Sequence, residues 1–320
     1  MRIKKLFICL AAAVLIPACL TSCGKKNDVS FIFATGGTGG TYFPYGTILA
    51  QKISDVNEYI TIEVAATGAS VENIRMIDSG AAHIAIAQND VTDYAYNATH
   101  SWNGEAIKNI CVLMSLYPEV CHLVVAADSD IVSGADLKGK RVSIGDSGSG
   151  VEANAIQIIA AYGLTVNDIY QENLGFASSV AALADGSIDA FFMTAGAPNT
   201  LLRETNDAVP LRIIGLSESV INGLISRYPY YTKATITHDN YPFLYEPVYT
   251  VAVLATLVAS PAISDKCAYD IVKTIIENKN AISVAHIKGT YINSEYAVQG
   301  ISIPMHPGAE KYFKEIGVLP

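Results

Sequence analysis

The chain has 320 residues, 51% of them hydrophobic and 16% charged, and carries a formal net charge of −9. That length and apolar content suffice for two core-bearing lobes, and so acidic a body argues against nucleic acid as a partner. Beyond the N-terminus no apolar run is long and charge-free enough to span a bilayer. The stretch 249–259 covers only about 11 residues and reads as a buried strand.

The opening residues Met1-Arg2-Ile3-Lys4-Lys5 are basic, and an apolar run follows over 6–20, too short for a permanent membrane helix. It ends in Leu20-Thr21-Ser22-Cys23, which resembles the bacterial lipobox. Residues 1–22 are therefore expected to be a signal peptide, with Cys23 the first mature residue and the carrier of a thioether-linked diacylglycerol. Two or more acyl chains, at about 0.8 kcal/mol per buried methylene, make such an attachment stable. A plain cleaved secretory peptide is the alternative, and both readings place the chain outside the cytoplasm. Loss of 1–22 removes Arg2, Lys4 and Lys5 and takes the charge from −9 to −12. Cys111, Cys121 and Cys267 remain. Cys111 and Cys121 are candidates for a disulfide, although a buried strand thiol explains each equally well.

After a lipidated tether over 23–29, the apolar run Val29–Ala34 stops at Thr35-Gly36-Gly37-Thr38-Gly39-Gly40-Thr41. Tyr45, Ile48, Leu49, Ile53 and Val56 then recur at helical spacing, and Pro44 fits the first turn. Residues 60–66 read as a second strand, Ser70 as the N-cap of a helix through Ile74 and Ile77, Gly80 as its end, and 83–87 as a third strand leading to Gln88-Asn89-Asp90. The same grammar restarts with a strand over 140–145, a loop at Asp146-Ser147-Gly148-Ser149-Gly150 and a helix carrying Ile156, Ile159 and Ala160. A short strand over 172–176, a helix ending at 183–186 and a strand over 188–194 complete the second unit, before Ala195-Gly196-Ala197-Pro198. The strand-like segments 120–126 and Val248–Ala259 are the expected connections between the units. The tyrosine-rich segment 227–249 is expected to be a long loop packed by its own rings. This predicts an α/β fold with lobe I at 30–125 and 251–320 and lobe II at 126–250.

The glycine-threonine loop meets neither phosphate-binding motif. Thr41 and Tyr42 stand where a P-loop needs lysine and serine or threonine, and Tyr42 stands at the sixth position of the dinucleotide fingerprint. Around Ser147 a nucleophile elbow fails because position 149 is serine, and the six histidines never pair at metal-ligand spacing. No catalytic residue, metal or cofactor is expected. What remains is bare glycine backbone and unpaired amides at helix N-termini, with hydroxyl donors around them, a charge-free cradle for a carboxylate. Thr38, Gly39, Gly40, Thr41 and Tyr42 fit that role in one lobe, and Ser147, Ser149 and Gly150 in the other.

Six stretches, in order along nearly the whole mature chain, resemble the TAXI family of substrate-binding proteins of TRAP transporters. They are Ala34-Thr35-Gly36-Gly37-Thr38-Gly39-Gly40-Thr41-Tyr42-Phe43-Pro44, Thr67-Gly68-Ala69-Ser70-Val71-Glu72-Asn73, Ser115-Leu116-Tyr117-Pro118-Glu119, Asp136-Leu137-Lys138-Gly139-Lys140-Arg141-Val142-Ser143, Asp189-Ala190-Phe191-Phe192 and Pro304-Met305-His306-Pro307-Gly308-Ala309-Glu310. The first and last are the specific ones. His83 departs from the acidic residue usual there, a change that concerns helix-to-strand packing. The resemblance implies a type II periplasmic binding fold of two lobes joined by crossing hinge strands, closure on a small carboxylate such as glutamate, and permease subunits driven by an ion gradient. Within such a cleft Gln88 and Asp90 are expected to read an amino or hydroxyl group, and Gly196 and Tyr249 to line the far wall. A lipid-anchored sensing receptor of the same fold, without a permease, is the alternative.

Overall fold

The computed structural model describes residues 28–320 apart from Asn103, so Cys23 and everything before it lie outside the described residues. The first unit runs β1 (Val29–Ala34), α1 (Tyr42–Val56), β2 (Ile60–Ala65), α2 (Ser70–Asp78), β3 (Ile84–Gln88) and α3 (Asn89–Asn97). A 16-residue strand, β4 (Cys111–Ala126), leads to β5 (Arg141–Ser143), α4 (Gly150–Ala161), β6 (Tyr170–Glu172), α5 (Phe176–Ala184), β7 (Ala190–Ala195), α6 (Thr200–Ala208), β8 (Leu211–Ile214), α7 (Glu218–Arg227) and β9 (Thr232–Ile236). The return strand is β10 (Val248–Ala259), followed by α8 (Asp265–Glu277), α9 (Lys279–Ala285) and α10 (Pro307–Glu315). Among the described residues no helix is long and apolar enough to cross a membrane.

The strand order is β2-β1-β3-β10-β4-β7-β5-β6, with β8 on β4 and β9 on β10. Strand alternation sends successive side chains to opposite faces, and the cores follow it. Phe33, Ile84 and Ile86 enter one core of the first unit, whereas Ala34, Ala85 and Ala87 enter the core on the other face. Leu123 and Val125 against Val120 and Val124 divide in the same way in the second unit. Two units, each a sheet covered on both faces, make the two-lobed periplasmic binding protein fold.

β4 and β10 belong to both lobes. Cys111 to Tyr117 pack into the first pair of cores and Val120 to Val125 into the second, and on β10 the change falls between Val253 and Ala255. Pro118 pairs with Leu254 at that crossing, and the ladder shifts register between Ala255 and Thr256. Proline cannot donate to a ladder and a bulge bends one, so both mark the place where the paired strands leave one lobe for the other.

Several expectations change. Ser70 is the first helical residue of α2, not its cap. Ala69 holds the cap position at φ 74, and the buried Ser70 hydroxyl accepts the Gln88 amide at 3.1 Å. The strand expected at 172–176 ends at Glu172, because Phe176 starts a helix. The tyrosine-rich segment contains β9, whose β-branched residues extend the sheet along β10. Cys111 and Cys121 are free buried thiols. Ten residues of one extended strand separate them, roughly 33 Å at 3.3 Å per residue, which no disulfide spans. His83 packs as expected, its Nδ1 accepting the Ile32 amide at 3.1 Å.

Candidate functional site

A cavity of about 200 Å³ lies between the lobes, below the roughly 300–1,000 Å³ of drug-sized sites. Four helix N-termini meet there, because each strand-to-helix loop leaves the same edge of its sheet. α1 opens at Tyr42 and α2 at Ser70 from one lobe; α4 opens at Gly150 and α5 at Phe176 from the other. Thr41, Ala69 and Gly175 supply no side-chain cap to α1, α2 and α5. Ser149 does cap α4, its Oγ accepting from the Glu152 amide at 3.1 Å. Unpaired first-turn amides and the positive ends of helix dipoles favour negative charge in general.

The loops are held from behind. Asn73, wholly buried, donates from Nδ2 to the carbonyls of Thr35 and Ile86, fixing the ends of β1 and β3 together. Its Oδ1 accepts from the Thr67 hydroxyl at 2.6 Å, which ties in the loop after β2. The glycines then let the lobes approach. A Cβ on Gly150 would stand 1.9 Å from Gln88 Oε1, and one on Gly40 would meet the Phe176 ring at 3.5 Å. The cleft is closed in this structure.

Eight of the twelve expected residues line the cavity: Thr38, Gly39, Gly40, Thr41, Tyr42, Gln88, Ser149 and Gly150. The other four stand elsewhere. The amide of Ser149 bonds the Asp146 carbonyl at 3.0 Å in a tight turn, and Ser147 sits exposed on its outer corner. Asp90 begins α3 and is buried away from the cavity. There its Oδ2 accepts from Asn154 Nδ2 at 2.9 Å, a bond between the lobes that continues through Tyr231, Gln157 and Tyr94. Gly196 packs on the Lys288 side chain, where a Cβ would be 2.3 Å from its Cε. Tyr249 is 58% exposed on β10, since alternation turns Thr250 inward instead.

Sequence reasoning missed Ser70, Asp146, Phe176 and, above all, Glu119. Glu119 is 2% exposed and follows Pro118 at the crossing of the lobes. The signal was present as the one acid within the apolar run of β4, since carboxylates are rarely buried without a reason. Tyr42 Oη donates to its Oε2 at 2.6 Å. Burial pushes its carboxyl from 4.5 up to about 8, and the Tyr42 bond and nearby Lys288 only partly offset this. Lys288 is itself buried, donates to the Ala197 carbonyl, and is lowered by burial to about 8. Burial, and then the charge of Glu72, raise Asp146. Among the described residues no cluster of histidine, cysteine and acidic side chains could hold a metal ion.

Fold and cleft together define a two-lobed solute-binding protein architecture. The chain belongs to the NMT1-like family, whose model matches residues 33–317. Solved structures share its fold at low identity. One is the alkanesulfonate-binding protein SsuA from Xanthomonas axonopodis pv. citri, at 14% identity and TM-score 0.52 over 89% of this chain and 83% of the other. A putative L-cystine ABC transporter protein from Listeria monocytogenes matches at 12% and 0.53, over 84% and 98%. A structure described for glutathione import via GshT and the cystine importer TcyBC of Streptococcus mutans matches at 15% and 0.52, over 83% and 98%. The first is described as a binding protein and the other two in terms of ABC transport.

Proposed function

We propose that this protein is the extracytoplasmic solute-binding component of a TRAP transporter of the TAXI type. It captures a small carboxylate between its lobes and delivers it to membrane permease subunits. The observation that carries the reading is the convergence of four helix N-termini, two from each lobe, on one small cavity without a lysine, arginine or histidine in its lining among the described residues. A ligand held by both lobes stabilises the closed form by the difference between its affinities for closed and open states. Thr38 to Tyr42 and Ser149 to Gly150 supply the donors on the two sides. Glutamate fits the cavity's size and is the first compound to test. Binding without turnover is the expected behaviour.

Export follows from the basic and apolar start of the chain, and anchoring from Cys23 within Leu20-Thr21-Ser22-Cys23. The resemblance to TAXI proteins favours an ion gradient as the driving force, whereas two of the structural neighbours are described in terms of ABC transport. Uptake into vesicles that carry the cognate permease separates the two. The proposal expects transport driven by an imposed sodium or proton gradient without ATP; transport that needs ATP and ignores the gradient would assign the protein to an ABC system. Replacement of Cys23 by alanine should release the protein from the membrane fraction. Retention of the variant there would remove the lipid anchor from the proposal.

A further inference from the structure

The charge around the cavity narrows the ligand beyond its carboxylate, on the premise that the proposed carboxylate capture is right. Two ionisable acids, Glu119 and Asp146, line it, and no basic side chain among the described residues does. A ligand with nothing but negative charge would meet helix dipoles on one side and, on the other, two carboxyl groups with no cationic side chain beside them in the lining. Glu119 has one oxygen, Oε2, occupied by the Tyr42 hydroxyl at 2.6 Å, and the residue lines the cavity. Gln88 adds an unpaired acceptor. It is 2% exposed and lines the same cavity, and its Oε1 is buried without a hydrogen-bond partner. A buried acceptor left empty costs roughly 1–3 kcal/mol in general, so Gln88 Oε1 calls for a donor that the protein does not supply.

We infer that Glu119 is the counter-charge for a cationic group on the ligand, so that the cleft selects a small zwitterion, an amino acid, over acids that lack an amino group. The carboxylate lies at the helix N-termini, the ammonium donates to Glu119, and Gln88 Oε1 accepts a further N–H or O–H. Proton balance follows. In the empty closed cleft burial holds Glu119 protonated at neutral pH. An ammonium beside it favours the ionised form, so the Glu119 proton leaves to solvent, the ligand keeps its own three, and the pair formed is carboxylate with ammonium. Glu119 also sits beside Pro118 at the crossing of the lobes, so the group that reads the cation stands on the strand about which the lobes close.

Calorimetry on the purified protein tests this with matched pairs: L-glutamate and glutarate, L-alanine and propionate, L-leucine and 4-methylpentanoate. Each pair is titrated at pH 7. The amino member of the pair that binds should be favoured by roughly ten- to a hundredfold, as expected for a charge-assisted bond. Glu119→Gln should abolish the preference. The wild-type comparison decides the matter even if that variant does not fold. Equal affinity for the two members of the binding pair would overturn the inference and leave carboxylate capture standing. Heat from no member of any pair would overturn carboxylate capture itself.

Discussion

At the residue scale the cleft depends on atoms that are absent. Gly150 touches Gln88 only because it has no side chain, and a Cβ there would lie 1.9 Å from Gln88 Oε1. Gly150→Ala should therefore weaken ligand binding at least tenfold. Alanine suits a helix better than glycine, and the clash is with the side chain of Gln88 across the cleft. Its thermal midpoint should stay within about 3 °C of the parent, a shift that corresponds to about 1 kcal/mol at this size. Calorimetry and a thermal melt check the pair. Ser149 is a less clean target than its place in the loop suggests, because its loss also removes the cap of α4, worth about 0.5–2 kcal/mol. The thiols give a second prediction. Alkylation of the denatured protein without reductant should modify Cys111, Cys121 and Cys267 alike, and protection of any two would contradict their placement as free buried thiols. The glycine-threonine loop and the serine loop were legible because their composition is itself the chemistry. Glu119 was not read as a site residue, since a single acid inside an apolar run acquires meaning only when the sheet places it at the lobe boundary.

At the element scale α3 and α4 meet across the lobes. Asp90 on α3 is wholly buried and bonded to Asn154 on α4, with Tyr94, Gln157 and Tyr231 completing the contact. Burial raises the Asp90 carboxyl from 3.8 to about 6, with the charge of nearby Asp93 adding to it and the Asn154 bond opposing it. The folded state thus holds this proton more tightly than the unfolded chain. The contribution is full below pH 4 and is lost as pH rises through about 6, up to about 3 kcal/mol in total. Glu119 acts in the same direction up to about pH 8, and His122, lowered by burial to about 4, acts oppositely below pH 6.5. The difference between wild type and Asp90→Asn isolates the first term. Thermal melts from pH 4 to 7.5 should show the wild type losing stability relative to the variant as pH rises. Parallel curves would place Asp90 in solvent and separate the helices. Helices and strands of the first lobe were readable from their periodicity. The fate of Asp90 was not, because residues in the first turn of a helix and residues in a strand-end loop share the same sequence signature.

At the scale of the whole molecule two lobes hang on two strands. β4 and β10 each change core at the same level, next to Pro118 and the register shift on β10. The repeated strand-loop-helix grammar made both lobes legible in the sequence, and segments 120–126 and Val248–Ala259 were read as the connections. The depth of their crossing was not, since β4 is one continuous apolar run and only pairing reveals where it passes from one lobe to the other. The same crossing brings helix ends from both lobes to one cavity, which is the central claim. Mass spectrometry of the small molecules released from natively purified protein tests it most directly, with Gly150→Ala purified alongside. The account predicts one small carboxylate bearing an amino group, near one per protein, and its loss from the variant. An empty pool, a nucleotide or uncharged solute in its place, or the same acid at the same yield from Gly150→Ala would contradict it.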